Sequence, residues 1–437
     1  MSSQFEAWID GQWGASAAGV LLSVSPRLTK SRPGLAQNIT AHRGAIVASP
    51  VLASYDPDPD YFFHWYRDSA LVLDALALLS AERNLNAAVE SAFVDFVEFG
   101  IGLLSLDGSA LADSSAWREA VQPDFVQYLR SAQELATVRG LEVSADTRVN
   151  PDGSLDITRW ARPQHDGPAL RALALLRWLG RGTLADATRG RAGTLLRSDL
   201  EFVQRRALVP CFDIWEEELG LHYYTLRVSA AALEAGAQWL DAQGELAAAA
   251  RCRQQALDTL KRLDEFIHPT DECYRSRELP DGRVSEKELD IAVVLACIHA
   301  KNLGRRHGVL DPKLLVTFER LVSLFAAEYP LNRGHAEAPA MGRYANDRYF
   351  SGGPYFFSTL GAAEYCYRRA AAAHDSAWFA RGERFLETVR RFTPSDGSLS
   401  EQFDRNTGAP CSARQLAWSH AAFLTCIDAR RAVLHIM

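Results

Sequence analysis

The 437-residue sequence contains no run of about 18 apolar residues, which excludes an ordinary membrane-spanning helix. It also has no Cys-x-x-Cys pair. The seven cysteines, at 211, 252, 273, 297, 366, 411 and 426, are odd in number and widely spaced. Buried free thiols in a reducing compartment are therefore expected, and a metal site is not. Lys and Arg are scattered and the formal charge is −7, so no basic face is offered to nucleic acid. The first residues lack both the basic start and the apolar stretch of a signal peptide. A cytoplasmic protein is expected, or a periplasmic or secreted one if a leader has been trimmed. Strand signals are sparse, and no repeat of 34 to 45 residues is visible, which argues against a solenoid.

Helical patterning is plentiful. After an opening helix in residues 1 to 20, the apolar periodicity predicts helices at 68–83, 86–105, 117–138, 168–180, 184–207, 222–242, 245–266, 286–303, 311–328, 352–374, 376–392 and 412–433. The twelve that follow Asp68 are enough for six hairpins, and a closed toroid of hairpins is one of the few large all-helical solutions. The stretch 44–50 reads as extended, Asp56 to Asp60 as a proline-stiffened loop, and 269–282 as a turn-rich interval of unassigned role.

Aromatic and charged residues cluster where loops meet apolar helices. These clusters are Tyr61-Phe-Phe-His-Trp-Tyr-Arg-Asp68, Trp160-Ala-Arg-Pro-Gln-His-Asp-Gly-Pro168, Cys211-Phe-Asp-Ile-Trp-Glu-Glu-Glu218, Arg343 to Tyr355, and Ser400-Glu-Gln-Phe-Asp404. Taken singly, each has an ordinary explanation. Asp68 and Asp213 suit helix N-caps, consecutive carboxylates suit the positive end of a helix, and tryptophans are usually core or rim packing. In a toroid, however, alternate junctions emerge at one mouth, so five distant segments can build one pocket. Aromatic platforms at Tyr61, Trp65, Trp160, Trp215, Tyr344, Tyr349, Tyr355 and Trp418, with Arg67, Asp68, Arg162, Asp166, Glu217 and Arg343 among them, suit a sugar. Glu216 and Glu401, on separate segments, are the pair that glycoside hydrolysis needs.

The same motifs, with Gly342-Arg-Tyr344 and Ser412-Ala-Arg-Gln-Leu-Ala-Trp-Ser-His-Ala-Ala422, resemble the glucoamylase family, glycoside hydrolase family 15. The likeness runs from about residue 44 to about residue 432. It implies a single (α/α)6 barrel spanning 1–437, with 1–43 as a lead-in, no starch-binding module, no N-terminal β-sandwich and no cofactor or metal. It implies exo-acting release of β-glucose from the non-reducing ends of short α-glucosides by inversion, α-1,4 first and α-1,6 second. Glu216 would be the general acid and Glu401 the general base, about 6.5 to 9.5 Å apart to admit water. Glu217, Arg67, Asp68 and Arg343 would hold the terminal glucose, Tyr61 would lie near the developing cation, and Trp65, Trp160 and Trp418 would wall the pocket.

For these roles Glu216 must carry a proton, helped by the neighbouring Glu217 and by burial, while Glu401 stays ionised. Three positions depart from fungal members: His165, Tyr355 and Phe403 replace Asn or Arg, Trp and Tyr. The first two are expected on the aglycone side of the pocket. The oligosaccharide is the expected partner, with neither membrane nor nucleic acid, and the protein is expected to be a monomer or weak homo-oligomer. Open alternatives are a trehalase-type or isomaltose- or dextran-specific member, and a catalytically silent sugar-sensing domain. Polysaccharide lyases and terpene cyclases remain fold-level alternatives.

Overall fold

The computed structural model describes residues 3–54, 57–82, 85–182, 184–268, 270–301 and 304–436; Asp56 and Pro269 of the sequence expectations lie outside them. Twelve long helices among these residues alternate between an outer and an inner position. The outer ones are α1 (Ser3–Ser23), α3 (Asn86–Leu103), α5 (Asp186–Arg206), α7 (Leu246–Asp264), α9 (Pro312–Glu328) and α11 (Ser376–Phe392). The inner ones are α2 (Tyr66–Leu79), α4 (Asp166–Leu179), α6 (Tyr223–Ala242), α8 (Ala292–His299), α10 (Phe356–Ala373) and α12 (Ala417–Ile436). Each inner helix packs on the next, and α12 packs back on α2, closing an (α/α)6 barrel.

Sequence dictates the layer. Inner helices touch neighbours on several sides, and α2 is buried at nearly every position, Arg67 and Asp68 included. Outer helices such as α11 bury one stripe, Phe379, Gly382, Phe385, Leu386 and Val389, and turn their arginines to water. Several helices carry strong starts: the side chains of Asp311 and Asp375 cap α9 and α11 through backbone N–H groups.

Two expectations differ from what is found. The opening helix is an integral outer stave, with its Phe5, Ile9, Trp13, Ala17 and Val20 face buried and Trp8 edge-on to Phe423 of α12. By contrast, 117–138 holds no long helix. Pro123 starts a 3-10 turn through Tyr128, and a new capping box at Ser131 begins a six-residue helix, so the pattern is cut twice. Residues 44–50 are extended as expected, with Ala48 and Ser49 donating to the carbonyls of Phe63 and Tyr61.

Short antiparallel strand pairs sit at the end of the barrel that bears the motifs. They are β1 (Thr29–Arg32) with β2 (Gln37–Thr40), β3 (His64–Trp65) with β4 (Arg148–Val149), and β8 (Gln402–Phe403) with β9 (Pro410–Cys411). A fourth antiparallel group joins β5 (Cys211–Phe212), β6 (Leu219–His222) and β7 (Arg277–Glu278). Gly220 lets β6 approach β7 closely, since a Cβ there would lie 2.5 Å from the Glu278 carbonyl oxygen. Among the described residues no helix is long and apolar enough to cross a membrane.

Candidate active site

The segment around Glu216 does not open a helix. It is the turn of the β5–β6 hairpin, and Asp213 anchors it rather than capping a helix. The Asp213 carboxylate accepts from the backbone N–H groups of Trp215 and Glu217, both at 3.0 Å, and its carbonyl accepts from Glu216 N–H at 3.0 Å. Arg277 locks the turn from below, donating to Asp213 at 2.7 Å, to Glu218 at 2.8 Å and to Asp290. Glu216 itself has φ +66, a left-handed conformation that costs a non-glycine residue about 1–3 kcal/mol. The clamp holds the strained residue so that its side chain faces the barrel mouth.

That mouth is a pocket of about 240 Å³ lined by Tyr61, Trp65, Arg67, Asp68, Trp160, Trp215, Glu216, Glu217, Arg343, Tyr349, Phe357, Glu401 and Trp418, with Ala48, Ile214 and Leu416. The lining residues come from loops, from hairpins and from the first turns of the inner helices α2, α10 and α12. Aromatic rings make the floor and one wall: Trp418 stacks on Phe357 at 4.0 Å and on Trp215 at 6.3 Å. Trp65 and Trp160 meet edge to face, and the Arg148 guanidinium covers both, 3.6 Å from the Trp160 centroid.

The carboxylates face this pocket in contrasting surroundings. Glu216 accepts from Trp65 Nε1 at 2.9 Å, from Arg67 at 3.2 Å and from Trp160 Nε1. Glu401 is approached by the Tyr61 hydroxyl at 3.4 Å and accepts from Ser412 Oγ, while Tyr61 shares a 2.7 Å bond with the Tyr349 hydroxyl. Burial pushes the Glu401 carboxyl up to about 7, against the Ser412 hydrogen bond and the Arg343 charge that favour ionisation. Glu217 is held by Arg343 at 3.1 Å, Lys287 at 2.7 Å and the Tyr344 hydroxyl. Arg343 is in turn fixed by a two-point contact with Asp347, at 2.7 and 2.6 Å.

Two carboxylates, Glu216 and Glu401, on separate elements of an aromatic pocket suit hydrolysis of a sugar acetal. The sequence pattern described as glycosyl hydrolases family 15 matches residues 30–100, 145–379 and 373–428. The chain belongs to glycoside hydrolase family 15. It is accordingly a glycoside hydrolase. Glucoamylase 1 of Rhizopus oryzae is 27% identical over 477 residues, covering 97% of this chain and 71% of that one. A probable glucoamylase of Schizosaccharomyces pombe is 27% identical over 430 residues, covering 89% and 85%. Among solved structures, a family 15 glucoamylase from Hypocrea jecorina superposes with TM-score 0.78 at 25% identity, covering 98% of this chain and 73% of that one. A glucoamylase from Saccharomycopsis fibuligera gives 0.79 at 21% identity, covering 100% and 97%.

Within this family 15 fold, three residues predicted to bind substrate stand behind the wall. Arg162 is consumed by ion pairs to Asp146 and Asp156, and Tyr355 is buried with hydrogen bonds to Asp347 and Gln402. Asp166 lies 4.0 Å from Arg67, which lines the cavity, but does not line it itself. The two departures expected at the aglycone side are also buried: His165 packs on Phe202, and Tyr355 lies beneath Arg343. The upward shift falls on Glu401, the residue expected to stay ionised.

Trp215, one of the expected platforms, lines the pocket, and so does Phe357, which was not chosen as a site residue. Lys287, Ser412 and Asp347 reach the pocket's carboxylates or their partners. Ser412 opens the last of the motifs, whereas Lys287 carries no local signal.

Proposed function

We propose that the chain is an exo-acting inverting α-glucosidase of the glucoamylase type, acting on short α-glucosides, α-1,4 first and α-1,6 second. The supporting observation is that Glu216 and Glu401 line one small aromatic pocket from separate elements, the arrangement that an acid and a base acting on one glycosidic bond require. Cavity size favours the same view, being below the roughly 300–1,000 Å³ usual for small-molecule sites.

In the proposed reaction, the terminal glucose stacks over Trp418 and is held by Arg67, Asp68 and Arg343. Glu216 protonates the leaving glycosidic oxygen, and Glu401 takes a proton from the water that attacks the anomeric carbon from the opposite face. The leaving oxygen must displace one of the three donors now on Glu216, and Trp160, which is 39% exposed, stands nearest to solvent. Tyr61, bonded to Tyr349, orients the water and the growing positive charge beside Glu401. Glu217, steadied by Lys287, Arg343 and Tyr344, also holds the terminal glucose.

The test is incubation with maltose, maltotriose, isomaltose, panose and trehalose, with the anomeric form of released glucose followed by NMR. Initial β-glucose is expected, with maltose faster than isomaltose. In Glu216→Gln and Glu401→Gln the rate should fall about 10²–10⁴-fold. Initial α-glucose would refute inversion, and binding without release would favour a sugar-sensing domain.

A further inference from the structure

Asp166 is the first residue of inner helix α4, is 1% exposed, and takes no part in lining the pocket. Neither of its carboxylate oxygens has a hydrogen-bond partner. A buried carboxylate left in this state opposes folding, so a local structural role does not explain it.

Its surroundings come from four elements. Arg67 and Asp68 belong to α2, Glu216 to the hairpin turn, Cys211 to β5 and Tyr224 to α6; of these only Arg67 is cationic. Tyr224 directs its hydroxyl to His299, at 2.7 Å. The Arg67 guanidinium is thus faced by three carboxylates: Asp68 at 3.0 Å, Glu216 at 3.2 Å and Asp166 at 4.0 Å. Its Nη1 is further occupied by the Ile214 carbonyl and the Gln164 side chain. One positive charge cannot compensate three negative ones, so the cluster favours keeping a proton.

We propose that Asp166 is a positioning residue for hydrolysis, which draws the charge of Arg67 away from Glu216 and so leaves Glu216 able to hold the proton that the leaving oxygen receives. The proposal rests on the reading of Glu216 as the general acid. Contact is indirect, since Asp166 acts through Arg67 and across the cluster. Burial pushes the Asp166 carboxyl up to about 6, so its charge is present above that pH, where a general acid is hardest to keep protonated.

The experiment compares kcat/KM for maltose against pH in the wild type and in Asp166→Asn, which preserves shape and removes the charge. The alkaline limb should move down by about one pH unit, a loss of about tenfold on that limb, while the acid limb and KM stay in place. A uniform loss at every pH, or an unshifted profile, would overturn the proposal and leave the hydrolytic reading intact. Inactivity of the wild type on every glucoside would instead remove that reading, and the proposal with it. Thermal melting at pH 8 supplies an independent check. Removal of an unpaired buried charge should leave Tm unchanged or higher, so a variant that melts lower or fails to fold would overturn the proposal too.

Discussion

Glu401 is where the residue-level electrostatics bear most directly on rate. A base with a carboxyl near 7 is competent above that pH, so kcat/KM of the free enzyme should fall tenfold for each unit below it. Ser412→Ala, which removes a donor to the ionised form, should move this acid limb upward; a limb unmoved in the variant would deny Ser412 that role. The same group links to stability. Its folded value exceeds the roughly 4.3 of an unfolded glutamate, so ionisation weakens the fold as pH rises from about 4 through 7. Glu401→Gln should therefore melt higher than the wild type at pH 8 and alike at pH 4, as scanning calorimetry can show. Glu216 and Glu401 were legible in sequence because each sits in a short motif with a characteristic neighbour. Asp166 stood in such a motif as well, yet its place behind Arg67 depends on which way α4 enters the ring. The surroundings of Glu401 and Glu217 were not legible, since Ser412 lies eleven residues from Glu401 and Lys287 lies seventy from Glu217.

At the scale of elements, the β5–β6 hairpin shows where patterning misleads. Three carboxylates before an apolar stretch look like a helix start, but the helix, α6, begins only at Tyr223, after the chain has turned back on itself. What holds the turn is Arg277, from the interval whose role the sequence left open, and it is 2% exposed. Arg277→Met should cost about 3–5 kcal/mol by stranding Asp213 and Asp290, read as a lower urea midpoint, and should lower activity with it. Normal stability in this variant would show that the turn holds without its clamp. The segment 104–144, which falls between the family matches, is likewise built of short helices and turns, and 117–138 within it lacks the continuous helix predicted there. Proline and capping signals there outweigh apolar periodicity, and they are visible in the sequence once weighed against it.

For the whole molecule, a count of helices sufficient for six hairpins made a closed toroid legible, whereas the role of the opening helix was not. Whether a first helix leads in or closes a ring is decided by its partner, α12, at the other end of the chain. A chain starting at residue 24 would lose a face containing Phe5, Ile9, Trp13 and Val20 and would uncover α12. At about 1.5–3 kcal/mol for each large side chain, that loss rivals the roughly 5–15 kcal/mol that stabilises a domain. Such a chain should be recovered aggregated, and a soluble, sharply melting product would contradict this account. The closure of the ring also has a meaning in time. Synthesis at roughly 5–20 residues per second takes about 20–90 s for a chain of this length. The proposed base, Glu401, and the pocket floor, Trp418, are made after the proposed acid, and α12 must then dock on both α1 and α2. A nascent chain holds the proposed acid before the base, so hydrolytic competence waits for α12 to dock.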